Sequence, residues 1–104
     1  MSGSPQMIYE IVETAEYRKW FDQQTIKTKV IIDARLQRIA LDGHFGTTNT
    51  FDGLIELKWK SGMRIYTARV ANKTVIILFG GNKNGQDKDI RKAKKILAKI
   101  AEET

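Results

Sequence analysis

The sequence contains no cysteine, one histidine and one proline among its 104 residues. Without cysteine the chain can form no disulfide, no thiolate nucleophile and no cysteine-ligated zinc or iron–sulfur site. A single histidine, His44, excludes a metal site built from several histidines. No apolar run approaches the roughly 18 residues of a membrane-spanning helix, and Met1–Gln6 lacks the apolar core of a secretory signal. We therefore expect a cytoplasmic protein that uses no membrane, no metal and no cofactor.

The composition is that of a small globular domain, with 41% hydrophobic and 29% charged residues. This apolar fraction is too high for a wholly disordered chain, and the length suffices for one core. Met1–Gln6 is rich in Ser, Gly and Pro and predicts a disordered tail. Residues 7–104 predict a single domain.

The net positive charge of the chain comes entirely from its second half. Residues 1–57 hold six Lys and Arg against eight Asp and Glu, a net of −2, whereas residues 58–104 hold twelve against four, a net of +8. Such an asymmetry is typical of a surface that faces nucleic acid. A solvated surface that only keeps the protein soluble is the alternative.

Hydrophobic periodicity predicts an α+β domain in the order β-α-α-β-β-β-α. The sheet is expected to be four-stranded and mostly antiparallel, with an N-terminal helical hairpin and a C-terminal helix. The predicted elements are a strand at 7–12, a helix capped by Thr14, a helix at 27–41, strands at 55–59, 63–70 and 74–79, and a helix from Gln86. The continuously apolar run Val75–Phe79 indicates a central strand buried on both faces, whereas residues 42–49 and 80–85 predict loops.

The turn at Ser61-Gly62 decides which side chains share a sheet face. A two-residue loop would place Trp59 opposite Arg64, whereas a three-residue loop with a glycine bulge would pair Lys60 with Arg64 and Lys58 with Tyr66. We favour the second register because it avoids burying an unpaired guanidinium. It predicts a basic face with an aromatic hydroxyl, suited to a phosphodiester and its transition state. An ordinary solvent-facing strand with lysines that prevent aggregation is the competing interpretation.

Other candidate residues give weaker signals. Gly80–Gln86 lacks the spacing of a phosphate-binding loop, so its glycines predict either positive φ angles or a close backbone approach. Lys83 could join the cationic face. His44 lies in a predicted loop, where it is either a general base or a residue without a functional role. The last helix carries many cations, which by default form a solvated face; Arg91 is the one that we include among RNA-contacting residues.

Several motifs resemble a known family. Gly53–Lys58 (GLIELK) followed by Gly62–Tyr66 (GMRIY) is similar to the G-x-x-E-L-R and G-Y-R-V-Y motifs of the RelE/ParE toxin superfamily, in its HigB-like, phage-derived group of addiction-module killer proteins. Leu78–Lys83 (LFGGNK), with the residues after it, resembles that group's L-x-G-G-x-K-x-x-Q-x-x-D-I-x-x-A. Upstream, Arg35–Ile39 and Gly43–Gly46 fit its R-L-x-R helix and G-N-F-G loop. The resemblance covers residues 9–101.

The resemblance implies a toxin domain, neutralised by an antitoxin that is often a helix-turn-helix protein. Ribonuclease members cut mRNA on the ribosome with basic residues and no metal. By position, Arg64 matches the arginine of the G-Y-R motif and Lys83 a second cation, while Lys58 replaces an arginine and loses its bidentate fork. The C-terminal catalytic tyrosine of the best-known ribonucleases is missing, which leaves Tyr66, Lys83 or His44 as the general base.

Two functions remain open from the sequence. The first is an endoribonuclease that inhibits translation and arrests growth, with Arg64, Tyr66, Lys83 and His44 as catalytic candidates and Lys58, Lys60 and Arg91 as RNA-binding candidates. The second is a non-enzymatic inhibitor of DNA gyrase, as in the ParE branch. A decayed toxin that only binds its antitoxin is a third, weaker interpretation.

Overall fold

The computed structural model describes residues 7–103, so the predicted tail at 1–6 lies outside the described part of the chain. The elements, in chain order, are β1 (Glu10–Glu13), α1 (Ala15–Asp22), α2 (Ile26–Asp42), β2 (Thr48–Phe51), β3 (Leu54–Lys58), β4 (Met63–Ala71), β5 (Thr74–Asn82), a 3-10 turn (Lys83–Gly85) and α3 (Gln86–Glu102). The strands form one sheet in the order β1-β5-β4-β3-β2. The α+β class and the predicted order of the helices are confirmed.

The sheet has five strands rather than the predicted four. The added strand, β2, lies partly within the predicted loop at 42–49 and pairs antiparallel with β3. Asp52 and Gly53 form the two-residue turn between them, with φ of 48° and 90°, as a tight hairpin of two right-twisted strands requires. The sheet is also mixed, because β1 runs parallel to β5, with Glu10 opposite Thr74. The prediction of four strands is therefore wrong.

Threonine caps begin both N-terminal helices. Thr14 Oγ1 accepts a hydrogen bond from the Tyr17 amide at 3.0 Å, as its position predicts, and Thr25 does the same for Thr28 at 3.2 Å. The two helices do not form the predicted hairpin, because each packs mainly on the sheet: α1 lies against β5 and α2 against β1. Apolar strands offer each helix a larger surface than the other helix does.

Both faces of the sheet are covered. On one face, Tyr17 of α1 and Ile32 and Ile39 of α2 pack on odd-numbered positions of β3 to β5. On the other face, Ala93 and Ile96 of α3 pack on the remaining positions. The prediction that β5 is a central strand is confirmed, since it lies between β1 and β4 and its residues 75–78 are buried.

Candidate functional site

The turn between β3 and β4 brings the predicted cations to one end of the sheet. Lys58 pairs with Arg64 and Glu56 with Tyr66, so the predicted pairs Lys60–Arg64 and Lys58–Tyr66 are wrong by two positions. The loop begins one residue earlier than expected, because the Trp59 amide bonds the Met63 carbonyl at 3.1 Å. Because side chains alternate between the two faces of a strand, a register shift of two residues leaves each side chain on its predicted face.

Arg64 is held at this turn by main-chain carbonyls. Its Nη1 donates to the carbonyls of Trp59 at 3.0 Å and Met63 at 2.8 Å. Its Nε is buried without a hydrogen-bond partner in the described chain, and no described residue bonds its Nη2. The guanidinium is thus fixed at the turn through one of its three nitrogens.

Lys83 joins the same turn from the end of β5. Its amide donates to the Gly62 carbonyl at 2.8 Å, and its side-chain carbons lie 3.4 Å from where a β-carbon at Gly62 would be. Lys60 is exposed at the turn itself. We call these four cations the turn-end cluster: Lys58, Lys60, Arg64 and Lys83. Arg91 lines a cavity of about 420 Å³ that Lys83 also lines, at the start of α3.

Tyr66 is not on an open face, contrary to the prediction. It is 0% exposed, as is the neighbouring Glu56, because α3 covers this part of the sheet. The Glu56 carboxylate accepts a hydrogen bond from Gln86 Nε2 at 2.7 Å, whereas the Tyr66 hydroxyl has no partner among the described residues. Burial raises the pKa of Tyr66, and the charges of Glu56 and Asp89 add to the effect. Tyr66 therefore stays protonated and cannot stack on a base in this conformation.

Gly80 and Gly81 allow one helix to approach on each side of β5. A β-carbon at Gly80 would come within 2.5 Å of the Trp20 ring, and one at Gly81 would overlap the Asp89 carboxylate. The prediction of a close backbone approach is confirmed. Burial raises the pKa of the Asp89 carboxyl, against the opposing charges of Lys88 and Lys92.

His44 lies apart from the turn-end cluster. It lines a cavity of about 270 Å³ beside α2, together with Arg35 and Arg38. Arg35 is a structural residue that the sequence did not single out. It donates to the carbonyls of Phe45 at 3.0 Å and Thr47 at 2.6 Å, and also to that of Lys58. The R-L-x-R motif includes Arg35, but the motif alone does not predict which groups its arginines contact.

A larger cavity of about 850 Å³ lies on the α1 and α2 side of the same sheet end, where Trp20, Lys27, Trp59 and Lys60 line it. Within residues 7–103, no three His, Asp or Glu side chains gather as metal ligands would. No helix in that range is long and apolar enough to cross a membrane.

Comparison with known proteins identifies a relative by sequence and a solved structure with a similar fold. No model of a protein family matches the sequence. A chain of the toxin–antitoxin complex RelBE2 from Mycobacterium tuberculosis superposes with a TM-score of 0.51 at 13% identity, over 71% of this chain and 90% of that chain. This likeness shows that the fold is shared. An uncharacterized protein of Haemophilus influenzae is 33% identical over 98 residues, which span 90% of this chain and 98% of the relative. The chain therefore belongs to the family of this Haemophilus influenzae protein.

Proposed function

We propose that this protein is the toxin of a toxin–antitoxin pair and acts as a metal-independent endoribonuclease on ribosome-bound mRNA in the cytoplasm. The observation that carries the proposal is the turn-end cluster, in which cations from β3, β4 and the end of β5 surround one turn. Two further observations support it. The fold is shared with a chain of a toxin–antitoxin complex, and the sequence motifs around Arg64 and Lys83 resemble those of RelE-type and HigB-like toxins.

The reaction needs little more than cations. The 2′-oxygen of the RNA attacks the adjacent phosphorus while the bond to the 5′-oxygen breaks, which leaves a 2′,3′-cyclic phosphate and a 5′-hydroxyl. Negative charge grows on the pentacoordinate phosphorus, and fixed cations stabilise it. Arg64 is pre-oriented by its two carbonyl contacts, Lys58 pairs with it across the strands, and Lys83 adds a third charge.

Neither Tyr66 nor His44 acts as the general base in this proposal. Tyr66 is protonated and covered, and His44 lines another cavity. We therefore propose that the 2′-hydroxyl proton passes to water, that water protonates the departing 5′-oxygen, and that Tyr66 only positions β4 under α3. Lys60, the exposed member of the cluster at the turn itself, and Arg91, which lines a cavity with Lys83, would contact the RNA backbone on approach.

The test is to induce the protein alone and map mRNA 5′ ends. We expect cuts within translated frames and arrested growth, and we expect both to be lost in Arg64→Ala. Arg69→Ala is the matched control, because Arg69 is an exposed arginine of the same strand. Uncut mRNA with the wild-type protein would overturn the ribonuclease proposal.

A gyrase inhibitor is the second candidate, because the turn-end cluster holds no acid–base pair and a pure binding surface needs none. A supercoiling assay with purified protein separates the two functions. Co-expression of the protein encoded beside this one tests the partner: an antitoxin, expected to have a helix-turn-helix domain, should restore growth under either function.

A further inference from the structure

A groove runs along one flank of α2, on the sheet face opposite α3. It consists of two adjoining cavities, of about 850 and 270 Å³, which share Ile31 in their linings. We call them together the α2 groove. Along the helix it extends from Lys27 to Arg38, which at 1.5 Å per residue is roughly 16 Å. That span matches about three turns of a second helix laid beside it.

The aromatic walls of the groove are held in place by contacts within the fold. Trp20 packs so closely over Gly80 that no β-carbon would fit between them. Trp59 lies under the Arg35 guanidinium, whose Cζ is 4.3 Å from the ring centroid. Met63, a flexible apolar side chain, lines the groove between the walls. Fixed walls lower the entropy cost of binding.

An exposed apolar ridge of α2 begins at Ile31, which lines the groove, and continues to Val30 and Ile26, which do not line it. Ile26, Val30 and Ile31 of α2 are 81%, 63% and 42% exposed. The first two are four residues apart and therefore project from the same side of the helix. Contiguous exposed aliphatic side chains of this kind mark protein interaction surfaces rather than ordinary solvated helix faces.

The groove is lined by cations and by no acidic residue among those that the structure describes. Lys27 and Lys60 line the larger cavity, and Arg35 and Arg38 the smaller one. The opposite flank of α2 has the reverse character, because its cavity is lined by acidic and apolar side chains without a cation: Met7, Glu10, Ile11, Glu13 and Asp33 among them. The α2 groove is therefore complementary to an acidic partner.

We propose that the α2 groove binds an acidic amphipathic α-helix of a partner protein. The aliphatic ridge favours a protein over a nucleic acid, and Arg35 has committed each of its nitrogens to a main-chain carbonyl. The apolar face of the partner helix would lie on Ile26, Val30 and the tryptophans, and its carboxylates would face Lys27, Lys60 and Arg38. The proposal holds whether or not the protein cleaves RNA.

A pair of synthetic peptides tests the proposal. Each has about 14 residues, the length of roughly four helical turns, with leucines on one face; one carries glutamates on the other face, and its twin carries lysines. Titrated into the full-length protein, the acidic peptide should change tryptophan fluorescence and bind at least about tenfold more tightly than the basic twin.

Point variants locate the binding site. Val30→Asp should weaken the acidic peptide at least about tenfold, and Lys60→Glu should weaken it as well. Val70→Asp is the matched control, because Val70 is a 43% exposed valine on β4, outside the groove. Circular dichroism checks that each variant folds, as expected for exposed positions.

Four outcomes would overturn the proposal. Equal binding of the two peptides would remove the charge argument, and unchanged affinity in both Val30→Asp and Lys60→Glu would place the peptide elsewhere. Displacement of the acidic peptide by a short single-stranded RNA, blocked by the same variants, would make the groove a nucleic-acid site. Self-association abolished by Val30→Asp and unaffected by the peptide would make a second copy of this chain the occupant.

Discussion

The Arg35 guanidinium lies over the indole ring of Trp59 while all three of its nitrogens donate to main-chain carbonyls. The carbonyls belong to Phe45, Thr47 and Lys58, which flank the β2–β3 hairpin. One side chain of α2 thus holds the loop before β2 and the end of β3 together. Burial lowers the pKa of this guanidinium, and its hydrogen bonds offset the cost of burying the charge.

Arg35→Ala should destabilise the protein by about 2–4 kcal/mol, since three carbonyls lose a charged donor and Trp59 loses its stacked cation. Urea unfolding followed by tryptophan fluorescence measures this loss. Arg38→Ala is the control, because Arg38 is an exposed arginine of the same helix and should change stability by less than about 0.5 kcal/mol. Equal effects of the two substitutions would contradict the structural role of Arg35.

Gly81→Ala should cost about 1–3 kcal/mol, because the new methyl group overlaps the Asp89 carboxylate. In the Asp89→Ala background the same substitution should cost less than about 1 kcal/mol, because the obstructing carboxylate is gone. A double-mutant cycle by urea unfolding measures the coupling. Additive costs would show that Asp89 does not limit the space at position 81.

Tyr66→Phe should leave stability at neutral pH within about 1 kcal/mol of the wild type, because the hydroxyl that it removes has no partner. It should also leave growth arrest unchanged if Tyr66 only positions β4. Toxicity assays in vivo and unfolding in vitro provide the two readouts. Loss of toxicity without loss of stability would instead assign the hydroxyl a catalytic role.

Alkaline pH should destabilise the protein through its two buried tyrosines. Burial raises the pKa of both Tyr17 and Tyr66 above the ordinary value of 10.0, so above pH 10 the unfolded chain loses protons that the folded protein keeps. Stability is therefore complete below pH 10 and falls as pH rises further, by up to about 1.4 kcal/mol per pH unit for each tyrosine. Unfolding curves at several alkaline pH values measure this slope, and Tyr66→Phe should remove one tyrosine's share. An unchanged slope in Tyr66→Phe would show that its pKa is not raised.

Lys83→Ala should reduce mRNA cleavage by about 10²-fold, the usual effect of removing one group that stabilises a transition-state charge. The fold should persist, because the Lys83 side chain is exposed and the amide that bonds Gly62 remains. Primer extension on mRNA after induction measures cleavage. Lys95→Ala is the control, because Lys95 is an exposed lysine in the middle of α3, and this variant should cleave mRNA at the wild-type rate. If both variants lose the same amount of activity, the cation at position 83 has no special role.

Local sequence features predicted the elements whose causes are local. Thr14 marks the start of α1, and the apolar run at 75–79 marks the central strand. The sequence analysis did not predict β2, because its four mostly polar residues show no alternation of apolar and polar side chains. Asp52-Gly53 was nevertheless a recognisable hairpin turn. The burial of Tyr66 could not be predicted. Strand alternation predicts which face of the sheet Tyr66 lies on. Its burial depends on where α3 packs, and that position is set by contacts between residues far apart in the chain.

The parallel pairing of β1 with β5 joins Glu10 to Thr74, across most of the chain. Until β5 has been synthesised, β1 has no neighbouring strand and the helices can cover only part of the sheet. Ordering such distant segments slows folding relative to local hairpins. During translation the nascent chain should thus remain without its complete sheet until β5, at residues 74–82, has left the ribosome. A chain interrupted before β5 would lack Lys83 and α3, and so would have neither the complete core nor the full turn-end cluster.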